Sequence, residues 1–282
     1  KHMINIFQRI VKRQAMVYFL FLYFTFLGNC IWGAEPFPIP QIDNVNVNSK
    51  DSRSDHVFRA QRVNEKYLYY LNKLILEAEK NGGPYLSPNQ FPNIAIKIKT
   101  IHAPGHQVSS ELLDALLGFL SGRGFRSDQI MIVDRDQKSL IQGGFYSKSE
   151  KIGFYGKYRT YSSSSNIYFD SEWFHDSPMP PTTHDRSRFF LEYPKERKKR
   201  MEEERKSYLP SILFLQDVFW INLSVATDHV NLGIDGASSN MTTGAISNYQ
   251  RFLEKPTLGP ATVTEILAIP EIWEKRIYSI LD

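Results

Sequence analysis

Three short stretches carry the side chains best suited to chemistry: His102 and His106 in IHAPGHQV, Asp134 and Arg135 in IVDRD, and Asp228-His229 in ATDHV. Each follows an apolar run that reads as a strand. In open α/β sheets, ligands bind beyond the carboxyl ends of the strands. If the three runs are neighbours in one sheet, two carboxylates and up to three imidazoles gather on one edge. That set suits general acid–base work or a divalent metal. The competing reading is that each residue satisfies backbone groups at a strand–loop junction. Asp228-His229 is the pair favoured for function, because it follows the most apolar run and precedes a glycine-containing helix start. Gly236-Ala237-Ser238-Ser239-Asn240 is the second feature. Small residues at a helix N-terminus let an anion approach exposed N–H groups, although Gly236 and Ala237 equally suit close helix–sheet packing. The chain has no P-loop, GxGxxG, HExxH or GxSxG pattern, so the usual markers of nucleotide, zincin and esterase mechanisms are missing.

The elements that must position these residues follow from apolar spacing. NIAIKIKT (93–100) alternates as a strand does, and QIMIV (129–133) and VFWINLSV (218–225) are short apolar runs of the buried-strand kind. Between the first two lies a helix over Glu111–Gly122, capped by Ser109 or Ser110 and closed by Gly122 and Gly124. Strand, helix and strand in this order predict a βαβ unit with parallel strands and a right-handed crossover. Further helices are expected over Val57–Lys80, Asp136–Gln142, Pro194–Tyr208, Gly236–Ile246, Thr262–Ile269 and Pro270–Ile280. Short strands are expected near Ile152–Tyr155, Asn166–Phe169 and Arg188–Tyr193. Thr227-Asp228 reads as a loop.

The first 34 residues read as an export signal. Arg9, Lys12 and Arg13 form a basic region, Met16–Leu27 a twelve-residue apolar run, and Gly33-Ala34 a small-residue cleavage site. An uncleaved membrane anchor is the alternative, since Trp32 is a poor residue for the −3 position. Residues 35–55, rich in Pro, Asn, Ser and Asp, read as a linker, followed by one α/β domain over 56–282. The whole chain has 34 basic and 30 acidic residues, a net charge of +4. Lys1, Arg9, Lys12 and Arg13 all lie in the leader, which has no acid, so the remainder is formally neutral. Net charge therefore gives no support to a nucleic-acid partner. A membrane is expected only through the leader, and the location is exported: periplasmic, extracellular or membrane-anchored. Cys30 is the single cysteine, which excludes an intramolecular disulfide and a Cys-ligated iron–sulfur cluster within this chain.

The stretch INLSVATDHVNLGIDGASSNMTTGAI (221–246) resembles the family known as domain of unknown function 362. That pattern has an apolar strand, Lys-Asp-His, a short loop, and Gly-Ala-Leu-Lys-Asn opening a helix with a glycine soon after. Asn222, Asp228, His229, Gly236, Ala237, Asn240 and Gly244 match. Thr227 stands in place of the lysine and Ser238-Ser239 in place of Leu-Lys. Upstream, Ile96-Lys97 is similar to the family's Ile-Lys strand, and the helix and strand ending in Asp134-Arg135 to its Asp-Arg strand. Downstream, IPEIWEKRIYSILD is similar to a segment leading into a further part of the family domain, so a sheet edge is expected to lie uncovered beside the C-terminus. The resemblance implies an α/β fold with a mainly parallel or mixed sheet and, in some members, export.

Together these readings predict a small-molecule enzyme or ligand-binding domain. Asp228 and His229 are the acid/base or metal-binding candidates. Lys97, His106, Asp134, Asn222, Gly236 and Asn240 are the ligand-binding candidates, the ligand being a small anion. Whether a metal or any cofactor binds stays open at this point. The alternative is a non-catalytic binding protein, favoured by Thr227, Ser238 and Ser239, which remove both of the family's cations; the Tyr/Ser-rich stretch 146–166 would then be its recognition surface.

Overall fold

The computed structural model describes residues 57–60, 66–147, 152–176, 205–253 and 258–282, all within the unit Asp51–Asp282. The expected leader, the linker, the strand at 188–193 and most of the helix at 194–208 fall outside those residues.

The sheet's first strand, β1 (Asn93–Lys97), runs parallel to β2 (Ile130–Val133), and the helix between them, α2 (Ser110–Gly122), makes the expected βαβ unit. Ser109 caps α2, its hydroxyl accepting from the Leu112 N–H at 3.1 Å. An earlier helix, α1 (Tyr67–Lys80), packs beside α2. It begins later than the apolar spacing from Val57 suggests, since residues 57–60 are not helical. A short helix α3 (Gln137–Gln142) follows β2, with Asp136 as its cap.

Next come β3 (Gly153–Tyr155) and β4 (Tyr158–Tyr161), a hairpin whose two-residue turn opens on Gly156 at φ 57°. Glycine reaches that conformation without the strain a side chain brings. The strand expected at Asn166–Phe169 is not there; β5 (Phe169–Asp176) starts where it should end and pairs with β6 (Lys206–Pro210) in a separate ribbon. β6 also replaces the end of the charged helix expected to reach Tyr208: alternate residues Ser207 and Leu209 are buried, a period of two.

The third apolar run forms β7 (Val218–Ser224), parallel to β1 on the side away from β2. A small hairpin follows, β8 (Thr227–His229) and β9 (Gly233–Asp235), where a loop is expected. Then come α4 (Ala237–Met241), shorter than the helix expected to Ile246, and α5 (Gln250–Leu253), α6 (Leu258–Leu267) and α7 (Pro270–Glu274). The helix expected to continue to Ile280 gives way to β10 (Arg276–Leu281), parallel to β7. β-branched Ile277 and Ile280 suit a strand, and Ile277 packs into the core while its neighbours on either side are only partly buried. Leu281 is half exposed on this edge strand.

The result is a six-stranded mixed sheet, ordered β10-β7-β1-β2-β4-β3, with only β3 antiparallel. Ile94, Ile96 and Ile98 face α1, α2 and α3, whereas Ala95, Val133 and Trp220 face α4, α6 and α7. The chain leaves β1 towards β2 on one face and β7 towards β10 over the other. Between β1 and β7 the winding direction therefore reverses, and a crevice opens at the strand ends there.

Burial favours the neutral form of three tyrosine hydroxyls. Tyr155 and Tyr278 are pushed up to about 12 and Tyr168 well above its ordinary 10.0, chiefly by desolvation. A group raised in the folded state keeps its full contribution below its unfolded value and loses it as pH climbs through the folded one. Lys97 and Lys99, lowered by burial from 10.5, contribute the opposite slope, which ends at 10.5. Stability is thus expected to fall from about pH 10.5 to 12. Urea unfolding across that range checks it, and Tyr278→Phe should flatten the fall.

Candidate functional site

Lys97 closes β1 and Asn222 lies directly opposite it in β7. Both point to the face covered by α4, the face of Ala95 and Trp220. Asp134 follows β2 at the same level, since Val133 is the register partner of Lys97. All three are buried, Lys97 completely. The Lys97 ammonium donates to Asp134 Oδ1 at 2.7 Å, to Asn240 Oδ1 at 2.8 Å and to the Ile98 carbonyl at 2.9 Å, which uses all three of its hydrogens. Asp134 Oδ1 also accepts from the Arg135 N–H at 2.7 Å, and Oδ2 accepts from the Thr100 N–H at 2.9 Å and hydroxyl at 2.5 Å. Asn240 Nδ2 donates to Asn222 Oδ1 at 2.8 Å, and Asn222 Nδ2 to the Ala237 carbonyl at 2.7 Å. Burial pushes the Lys97 ammonium below its ordinary range, and the Asp134 carboxylate beside it pulls the other way.

This network satisfies itself. Four of the ligand-binding candidates, Lys97, Asp134, Asn222 and Asn240, come together, but they spend their hydrogen bonds on one another and fix α4 over the strand ends. Gly244 sets the fit. A Cβ there would stand 3.0 Å from Asn240 Cα and from the Ser239 carbonyl oxygen, both backbone. Gly244→Ala is expected to push Asn240 off Lys97 and to cost about 1–3 kcal/mol, measurable as a lowered urea midpoint.

Lys99 does the same for the hairpin. Nearly buried, it donates to Thr227 Oγ1 at 2.8 Å and to the Asp235 carbonyl at 2.6 Å, and it pairs with Asp235 Oδ2 at 3.2 Å. Lys99 and Asp235 are absent from the sequence-derived candidates. The signal was there: Lys97 and Lys99 lie two apart at the end of an otherwise apolar strand, hence on one face. Asp235 is also hydrogen-bonded by the Ser239 hydroxyl in the first turn of α4. A carboxylate of the chain itself therefore stands where an external anion was expected. Gly236 is buried against Leu281 and Ile234 rather than open to a ligand, and α4 has only five residues.

Beyond the network, a cavity of about 350 Å³ opens at the strand ends, lined by residues that follow β1, β2 and β7. His229, Arg135, Asp136, Tyr249 and Thr243 are among its walls, with Leu232 and Leu253 as apolar members. The expected Asp228-His229 pair does not converge there. As successive residues of a strand they point to opposite sides: His229 lines this cavity, while Asp228 is exposed in a shallower depression of about 570 Å³ with His102 and His106. His106, a ligand-binding candidate, lies only in that second depression; His102 touches both. Among the described residues, no three His, Cys, Asp or Glu side chains are grouped to hold a metal ion.

His229 Nδ1 accepts from the N–H groups of Asn231 and Leu232, each at 3.2 Å. A neutral imidazole so held carries its hydrogen on Nε2, leaving that N–H as a hydrogen-bond donor. Arg135, only 9 % exposed, donates from Nη1 to the Thr243 carbonyl at 2.6 Å, and its guanidinium lies 3.5 Å over the Tyr249 ring.

Comparison with protein-family models, with curated proteins and with solved structures finds no match to this chain. Among the described residues no helix is long and apolar enough to cross a membrane.

Proposed function

We propose that this is an exported domain, a divergent relative of domain of unknown function 362, that binds a small anionic organic molecule in the cavity between the β1 and β7 ends and polarises it with a hydrogen bond donated by His229 Nε2–H. The observation that carries the reading is the cavity's position. It lies at the reversal of strand winding, beside an imidazole whose tautomer two backbone N–H groups hold. Residues of the family resemblance, namely Lys97, Asp134, Asn222 and Asn240, support it as scaffold.

A non-catalytic binding protein is the second reading. It is favoured by the closed Lys97–Asp134–Asn240 network, which leaves no free cation at that point, and by Thr227 serving Lys99 rather than supplying a charge.

The test is thermal unfolding of the full chain against a panel of small organic acids, phosphates and neutral metabolites. A ligand at a hundredfold its Kd adds about 2.7 kcal/mol. At least one anion should raise the midpoint, and His229→Ala, which gives up two backbone contacts on a half-buried side chain, should fold yet lose most of that rise. If no compound stabilises the chain, or if His229→Ala keeps the full effect, the reading is wrong.

A further inference from the structure

We infer that the cavity's ligand is a monocarboxylic acid with a compact apolar body, its carboxylate held in two-point contact by the Arg135 guanidinium; this rests on the reading of the cavity as a ligand site.

Charge sets the valence. Lys97 is paired with Asp134 and Lys99 with Asp235. Asp136, also on the wall, is engaged by the Lys138 and Ser139 N–H groups at the start of α3, where the helix dipole favours a negative charge. Arg135 is left over. Among the described residues no carboxylate lies within ion-pair distance of it, although it is nine-tenths buried. A buried cation without an ion-pair partner is costly, and a carboxylate seated on the guanidinium would supply that partner directly. A dianion would set a second negative charge beside Asp134, Asp136 and Asp235, where a monoanion sets only the one that Arg135 meets.

Geometry sets the contact. The hydrogen bonds of the guanidinium to the described residues all leave from Nη1, to the Thr243 and Ile246 carbonyls at 2.6 and 3.3 Å. One face is covered by Tyr249. The Nε–Nη2 edge has no hydrogen-bond partner among the described residues, and neither atom is among the fully buried ones left unpartnered, so the edge reaches solvent. That edge presents two parallel N–H groups, the fork that matches a carboxylate. Its carbonyl anchors and the tyrosine stack hold the fork still, which lowers the entropy lost on binding. Leu232 and Leu253 supply apolar wall for the rest of the molecule, and about 350 Å³ bounds its size.

The experiment titrates the full chain by calorimetry with benzoate, its neutral isostere benzamide, and inorganic phosphate. Benzoate should bind saturably, benzamide roughly tenfold or more weakly, and phosphate should not displace benzoate. Arg135→Lys keeps the charge and loses the fork, so benzoate should weaken roughly tenfold or more. If that variant fails to fold, the Arg135 Nε–Hε resonance of the unmodified chain replaces it, and must move with benzoate and not with benzamide. Equal binding of benzoate and benzamide, displacement by phosphate, an unmoved Arg135 resonance or no benzoate binding would each overturn the inference. The two readings fail separately. If another panel compound moves the His229 signals while benzoate does not, the cavity reading stands and the carboxylate inference falls. If no compound moves His229, both fall.

Discussion

Asp134→Ala is expected to cost about 3–5 kcal/mol, the usual penalty for stripping a buried ion pair of one partner. The Lys97 ammonium would be left with no counter-ion at a position of zero exposure, and the Thr100 and Arg135 N–H groups would lose their acceptor. The loss should depend on pH. Burial already lowers Lys97 from 10.5, and removing Asp134 lowers it further, so the folded variant binds fewer protons than the unfolded chain below that value. Stability of the variant then rises with pH relative to the parent, and the cost should shrink as pH approaches 10.5. Lys97→Met together with Asp134→Leu should cost less than the two single changes added, because no charge is stranded. Urea unfolding of the parent, Asp134→Ala, the two single changes and the double variant, five chains in all, at pH 7 and pH 9.5 checks both points. A cost under about 1 kcal/mol for Asp134→Ala would mean that the network is not what holds the strand ends.

Trp220 is the other large lever. Among the described residues it is the largest side chain with no exposure, at the centre of the core under α4 and α6, and its indole N–H has no hydrogen-bond partner among them. Trp220→Ala should cost about 3–5 kcal/mol from lost burial and the cavity left behind. Trp220→Phe removes the unpaired N–H along with some volume. Those two effects oppose each other, so the change should stay within about 1 kcal/mol of the parent. Should Phe cost as much as Ala, an unrecognised partner for the indole nitrogen is stabilising it. The comparison also bears on the site, since β7 carries Asn222 two residues further on and leads into the hairpin that holds His229.

Much of this fold is legible in the residue pattern, and the reason is physical. A buried parallel strand shows as a short apolar run, and 93–98, 129–133 and 218–225 are such runs, joined in the first case by a helix with an unmistakable apolar face. Arg276–Leu281 defeats the same logic. The Pro270-Glu271 start and the charged residues that follow it suit a helix running on through this stretch, and docking against β7 selects a strand instead. β3 falls within the strand expected near Ile152–Tyr155, whereas β4, from a stretch dominated by Tyr, Ser and Gly, is selected by pairing with β2 and β3. At the site, the strand-end rule brings Lys97, Asp134, Asn222 and Asn240 to one place. What local sequence could not carry was direction: a loop reading of Thr227–His229 leaves Asp228 and His229 free to converge, whereas a hairpin sends them to opposite sides. Nor could it show that Asp235, ten residues from Val225 in the chain, returns to Lys99 and takes the place beside α4 that an external anion would need.

The central claim is that ligand binds on the His229 side of the hairpin, not on the side of Asp228, His102 and His106. Long-range proton–nitrogen spectra of the histidine imidazoles, recorded on the full chain with the panel compound that stabilises it most, test this directly. The account predicts that His229 Nε2 shifts on binding, with Nδ1 still showing an unprotonated acceptor, while His106 stays unmoved. A shift at His106 with His229 unchanged would place the site in the other depression and contradict it.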